Sequence, residues 1–268
     1  MPVRAEANGV SLSVVDEGQG RPLVFLHGVM CSGRFFDGQV ERLADGFRVV
    51  VPDMRGHGDS EKALAGHTVP TYARDLSTLL EALGVDRPVL IGWSMGAMVA
   101  YDYLREFGPQ RVAGLVIVDQ PPADFAWGGG YGFGLFTPEV LAEAVEGIQT
   151  DLAAVGHEWA ELMLHAPTPE TVSFFVGEFT KVPPAIAVSI LVDQTFRDYR
   201  EFIPTIDVPT LVAFGGDDKA TSPDAGRWIA ERVPGARLEI FDGSSHAPFF
   251  EEPDAFARVL VEFVRGLA

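Results

Sequence analysis

Val89-Leu90-Ile91-Gly92-Trp93-Ser94-Met95-Gly96-Ala97-Met98-Val99 is the stretch on which the reading of the whole chain turns. Val89 to Ile91 lack polar interruption, the pattern of a short strand buried on both faces. Met95 to Phe107 follow with helical period. Between strand and helix, Ser94 is flanked at two residues' distance by Gly92 and Gly96. So abrupt a reversal needs neighbouring backbones to pass closely and one residue to adopt a sparsely allowed conformation, and the glycines provide the room. The serine then stands at the positive end of a helix dipole, which favours a developing alkoxide. A Gly-flanked turn capped by serine is the bland alternative; the strand before and the helix after favour a nucleophile elbow.

On either side of this stretch, short apolar runs alternate with helical segments. The strands are expected at Leu12–Val15, Leu23–Leu26, Phe47–Val51, Val89–Ile91, Leu115–Val118, Thr210–Phe214 and Leu238–Phe241. Helices are expected at Arg34–Ala44, Thr71–Leu83, Met95–Phe107, Asp224–Val233 and Pro253–Leu267. This alternation predicts an α/β domain with a mainly parallel sheet and helices on both faces. The rhythm stops after Pro121-Pro122 and resumes at Val208-Pro209, so residues 122–205 read as an inserted cap and 1–121 with 206–268 as the core. Within the insertion, Phe125 to Phe136 is rich in glycine and aromatics, which predicts a mobile loop, and Gly128 to Gly134 are expected to close over a substrate. Thr137-Pro138-Glu139 and Thr168-Pro169-Glu170 are helix starts. Leu141, Val145, Ile148, Leu152, Val155, Trp159 and Leu162 form the stripe of an amphipathic helix or a helix pair.

The chain of 268 residues is 47% hydrophobic and carries 38 acidic against 20 basic residues, for a formal charge of −18. That field repels phosphate backbones and anionic lipid heads, so neither nucleic acid nor a membrane surface is an expected partner. Cys31 is the single cysteine, which rules out an intrachain disulfide. With no Cys/His cluster and no Gly-rich phosphate loop, no metal or organic cofactor is expected. The acidic, poorly apolar first twenty residues do not resemble a secretory signal, and a cytoplasmic protein is expected.

A serine hydroxyl is too weak an acid to attack an acyl carbon unaided and needs a base beside it. His246, in Gly243-Ser244-Ser245-His246-Ala247-Pro248, follows the last strand and so belongs to the same sheet edge as Ser94. His67, His157 and His165 fall in polar or inserted segments and are expected to be solvated or structural. A carboxylate must hold the imidazole and balance its cation. Asp218 in Gly215-Gly216-Asp217-Asp218 is favoured by chain order and by the turn after its strand; Asp217 and Asp119, the latter at the end of Leu115–Val118, remain alternatives.

The order Ser94, Asp218, His246 is that of α/β-hydrolases. With His27-Gly28-Val29-Met30, Asp53-Met54-Arg55-Gly56-His57-Gly58-Asp59-Ser60 and Glu251-Glu252-Pro253 also in sequence, the chain resembles the esterase, lactonase and cofactor-free haloperoxidase group of that superfamily. The resemblance covers about residues 10–120 and 206–268. It implies an α/β-hydrolase fold with an inserted helical cap, and an oxyanion hole from the backbone N–H groups of Val29 and Met95. Proline stands further from the acid here, at Pro223, than is usual in that group, which keeps Asp217 in view. His27, Arg55 and Asp53 are expected to fix loops rather than to react. Trp93, Phe125, Trp127 and Phe196 are expected to help line an apolar pocket for an uncharged ester or lactone. Perhydrolysis, carbon–carbon bond hydrolysis on the same triad, and slow-turnover capture of a small ligand are the alternatives. Dehalogenase or epoxide hydrolase chemistry would call for aspartate at position 94.

Overall fold

The computed structural model describes residues 2–128 and 131–267. Its frame is an eight-stranded sheet: β1 Val3–Ala7, β2 Val10–Glu17, β3 Pro22–Leu26, β4 Arg48–Pro52, β5 Val89–Trp93, β6 Gly114–Val118, β7 Thr210–Gly215 and β8 Arg237–Phe241. The strands lie in the order β1-β2-β4-β3-β5-β6-β7-β8. β1 and β2 are antiparallel to their neighbours, and every other pairing is parallel. From β3 the chain moves outward to β4, then returns to the opposite side of β3 as β5. The carboxyl ends of β3 and β5 therefore flank a topological switch point, where open α/β sheets bind their ligands.

The helices are α1 Asp37–Leu43, α2 Val69–Ala82, α3 Met95–Phe107, α4 Pro138–Thr150, α5 Leu152–Met163, α6 Pro169–Phe179, α7 Pro184–Thr195, α8 Pro223–Ala230, α9 Pro248–Glu251 and α10 Pro253–Arg265. α2 and α3 pack together, with α3 on β3, β5 and β6; α1 packs on α9 and α10. β5, β6 and β7 are buried along their whole length, which accounts for their unbroken apolar runs. Arg34–Ala44 is not one helix: Ser32 caps a 3₁₀ turn over Gly33–Phe36 that runs into α1. β1 was not expected from the sequence. Its residues are mostly exposed, so the apolar run that signals a buried strand is missing.

Between β6 and β7 lie the four helices α4 to α7, in the segment expected to form the cap. The stripe from Leu141 to Leu162 is a helix pair. It breaks at Asp151 (φ −151°, ψ 80°), whose carboxylate caps α5 through the Ala154 N–H at 3.0 Å. The expected loop from Phe125 to Phe136 is tied at its base. The Asp124 carbonyl accepts from the N–H groups of Leu135 and Phe136, and Ala126 N–H donates to the Phe136 carbonyl. Gly129 and Gly130, within the expected closing segment, lie outside the described residues. Among the described residues, no single helix is long and apolar enough to cross a membrane.

Candidate active site

Ser94 stands between the end of β5 and the start of α3 with φ 53° and ψ −126°, a conformation rare for any residue with a side chain. Its surroundings leave no room for a wider turn. A Cβ on Gly96 would lie 2.1 Å from the Leu26 carbonyl oxygen, and one on Gly92 would lie 2.5 Å from the Ala97 backbone. The two glycines are thus what lets α3 start against the ends of β3 and β5.

His246 is buried in the loop between β8 and α9. Its own N–H donates to the Met163 carbonyl at the end of α5 (3.0 Å), and its carbonyl accepts from the Trp93 indole (2.8 Å). Glu251 and Glu252 hold the loop from below: Glu252 accepts from Gly243 N–H and the Ser244 hydroxyl, and Glu251 from Ser245 N–H. That is the physical content of the Glu-Glu-Pro motif after the histidine.

The imidazole Nδ1 faces two carboxylates, Asp218 Oδ2 at 3.1 Å and Asp119 Oδ1 at 3.3 Å. Asp119, fully buried, accepts from Gly215 N–H at 2.7 Å, Asp218 accepts from Ala220 N–H at 2.6 Å, and the Thr221 hydroxyl bridges the pair. Asp217 points elsewhere, its side chain 60% exposed and paired with His165 at 2.8 Å. Of Asp217 and Asp218, it is Asp218 that the fold brings to the imidazole, with Asp119 beside it. Sequence order treats the two as competitors; the fold brings both to one nitrogen.

The three groups perturb one another. Burial would push the imidazole down, but hydrogen bonds to Asp119 and Asp218 and their charge outweigh it, so its pKa is raised. Burial and then the neighbouring Asp218 push the Asp119 carboxyl well above its usual range. Burial opposes ionisation of Asp218 as well, yet the bond and charge of His246 hold it below the carboxylate range. Two carboxylates at one site push each other's pKa values apart in this way. One donor atom each from Asp119, Asp218 and His246 lie within 4.8 Å, a grouping that could hold a cation. The backbone N–H groups, Thr221 and the imidazole already satisfy these atoms, so hydrogen bonding accounts for the cluster.

Ser94 and His246 share a cavity of about 310 Å³, lined also by Val29, Leu135, Trp159 and Leu191 and walled mainly by apolar side chains. Val29 is on its wall, and Met95 is the first residue of α3, whose leading N–H groups have no helical acceptor. Among the described residues neither N–H is bonded to a loop or turn carbonyl. The wall differs from the sequence expectation at four aromatics. Trp93 is fully buried beneath His246, where its ring supports the histidine loop. Phe125, Trp127 and Phe196 cluster edge-to-face and tilted, with ring centroids 5.0 to 6.4 Å apart, and are not among the residues lining the cavity. Sequence composition marked them as a pocket because it registers large apolar side chains but not the direction in which a loop presents them. Helical spacing does supply Trp159; Val140, Ala144, Met163 and Leu191 are brought in by packing between cap helices.

His27 holds the loop after β3: its Nε2 accepts from Met54 N–H at 2.9 Å, while Nδ1 donates to the Gly28 carbonyl. Asp53 accepts from Gly33 N–H at 2.7 Å and Asp59 N–H at 2.8 Å, and Arg55 is paired with Asp75 of α2.

A strained serine at the strand–helix elbow, with a carboxylate-held histidine on the loop after the last strand, is the arrangement of one superfamily, and the sequence profile described as alpha/beta hydrolase fold matches residues 21–253. The chain belongs to that family. It is similar to a non-heme chloroperoxidase of Kitasatospora aureofaciens, 30% identical over 98% of this chain and 99% of that one. Among solved structures it is similar to an esterase of Exiguobacterium antarcticum (TM-score 0.94, 27% identity, covering 99% and 100% of the two chains). It also resembles the enol-lactonase of Burkholderia xenovorans (TM-score 0.87, 25% identity, 98% and 100%).

Proposed function

We propose that the protein hydrolyses an uncharged carboxylic ester or lactone through an acyl-enzyme on Ser94. The observation that carries this reading is that Ser94 and a carboxylate-backed His246 open onto one mainly apolar cavity. In the forward step Ser94 Oγ attacks the acyl carbon as His246 Nε2 takes its proton. The carbonyl oxygen, now an oxyanion, is held by the N–H groups of Val29 and Met95; each such donor lowers a barrier by about 3 kcal/mol. Collapse of the tetrahedral adduct breaks the bond to the alcohol oxygen, which receives the proton from the imidazolium. Water then repeats the sequence, deprotonated by His246, and releases the acid and free Ser94. Asp218 orients the ring and balances its cation throughout. Residues 122–205 act as the cap that decides which acyl and alcohol groups enter. No metal or organic cofactor takes part in any step.

The test is hydrolysis of p-nitrophenyl esters from acetate to decanoate by the wild type and Ser94→Ala, with a fluorophosphonate as label. Turnover abolished by the substitution, with the label on Ser94, is expected. Absence of both turnover and labelling would refute the mechanism. The 30% identity to a chloroperoxidase favours one second reading, in which peroxide replaces water and the peracid formed oxidises halide. Bromination of a dye with peroxide and acetate present, lost in Ser94→Ala, would support it.

A further inference from the structure

The loop from His27 to Gly33 carries the Val29 amide, and its conformation is demanding: Met30 has φ 59°, and Cys31 N–H closes a turn on the Gly28 carbonyl at 3.2 Å. Side-chain anchors reach it from three sides. Two belong to the core, at the His27 ring and at Asp53 on Gly33 N–H. The third comes from the cap. Glu178, in the last turn of α6 and 2% exposed, accepts from the fully buried Ser32 hydroxyl at 2.7 Å. Its other oxygen accepts from Arg34 at 2.7 Å, and Lys181 lies 3.0 Å away.

A negative charge in the last turn opposes the helix dipole, and burying one is costly unless it is paired and hydrogen-bonded. Lys181, three residues on, is a local partner; the rest of the compensation is tertiary. Ser32 and Arg34 come from the loop and the 3₁₀ turn after β3, more than a hundred residues away in the chain. α6 also packs its aromatics on that turn: Phe35 meets Phe174 and Phe175 with ring centroids 4.9 and 4.6 Å apart. That contact is apolar and tolerates sliding, whereas the Ser32 bond fixes both distance and direction. The Ser32 hydroxyl meanwhile accepts from Arg34 N–H at 3.3 Å, so the loop's own turn closes through the same atom.

We infer that Glu178 is a positioning residue that couples the seating of cap helix α6 to the alignment of the Val29 N–H, through Ser32. This rests on the hydrolase reading above for what the N–H does, and on the geometry alone for the coupling. A cap displaced from the core would release Ser32 and loosen the donor, so that oxyanion stabilisation is complete only with the cap in place. The effect belongs to the transition state, because the loop amide meets charge only once the adduct forms.

The test compares the full-length wild type with Ser32→Ala, Glu178→Gln and the double variant. Three readouts are used: kcat and KM on the p-nitrophenyl esters, inhibition by an alkyl boronic acid that becomes tetrahedral on the serine, and amide exchange across residues 27–33. The expected result is a fall in kcat of about tenfold with KM little changed, boronate affinity falling in proportion, and faster exchange across the loop. The double variant should be no worse than the worse single one. Glu178→Asp decides the matter if Glu178→Gln does not fold, since it withdraws the carboxylate from the Ser32 hydroxyl while keeping its charge and leaving the Ser32 bond to Arg34 N–H in place. Unchanged exchange across 27–33, a rise in KM alone, or a fall in kcat without loss of boronate affinity would each overturn the inference. If the wild type neither turns over esters nor labels at Ser94, the hydrolase reading fails. The assignment of Glu178 to catalysis then falls with it, while the exchange result still reports whether α6 and the loop are coupled.

Discussion

His246 has two acids where its proposed task needs one, and the pair sets the pH at which it can work. A general base must be neutral, and the bonds and charge of Asp119 and Asp218 together favour the cation. The acid limb of kcat/KM should therefore lie above the ordinary histidine value of 6.5. Asp119→Asn removes one group that stabilises the imidazolium, so the limb should move to lower pH, with kcat on the alkaline plateau changed by less than about tenfold. Asp218→Asn should act differently, lowering plateau kcat by roughly 10³- to 10⁴-fold through loss of the orienting carboxylate. Equal pH profiles for wild type and Asp119→Asn would show that Asp119 does not share the proton. The sequence carried Ser94, His246 and all three candidate acids, since each lies in a turn after a strand. It did not carry the outcome that two acids converge, because chain order ranks candidates one at a time.

The elements that bring these residues together were legible to different degrees. Strands β3, β5, β6 and β7 were plain from their apolar runs, and α3 from its period, because burial on both faces or on one stripe leaves a local mark. β1 left none, being exposed and defined by its hydrogen bonds to β2. The break between α4 and α5 could be read only as a choice, since an Asp N-cap and a mid-helix Asp look alike in sequence. The elbow is the element most constrained by packing, and it yields a sharp expectation. In Gly96→Ala the new methyl would stand 2.1 Å from the Leu26 carbonyl oxygen, a backbone atom that cannot swing aside. α3 must then shift away from β3. The variant should lose about 3 kcal/mol of stability, read from urea unfolding, and should also lose labelling of Ser94 before it unfolds. A variant with wild-type stability and labelling would mean that the elbow tolerates a wider approach.

For the whole molecule, a formal charge of −18 goes with a mainly apolar cavity, and the two together predict a discrimination among substrates that can be tested. The mean field repels an anionic ester and leaves a neutral one unaffected at long range, with a reach of about 10 Å at 0.1 M salt and about 30 Å at 0.01 M. Composition revealed this much. The cavity's shape was not legible, since it forms where cap helices meet the core, between residues far apart in the chain. The two properties predict a salt dependence with opposite signs for opposite charges. With esters matched in acyl length, kcat/KM for a carboxylate-bearing member should rise as sodium chloride goes from 0.01 to 0.3 M, because screening removes the repulsion. A neutral ester should change little, and a quaternary ammonium ester should fall. The size of the rise reports the potential at the cavity mouth, so Lys219 on the cavity wall supplies the internal control. Replacing it with Gln should make the potential more negative and steepen the rise for the anionic ester. If all three esters respond alike, the charge acts on solubility alone and selection rests with the walls of the cavity.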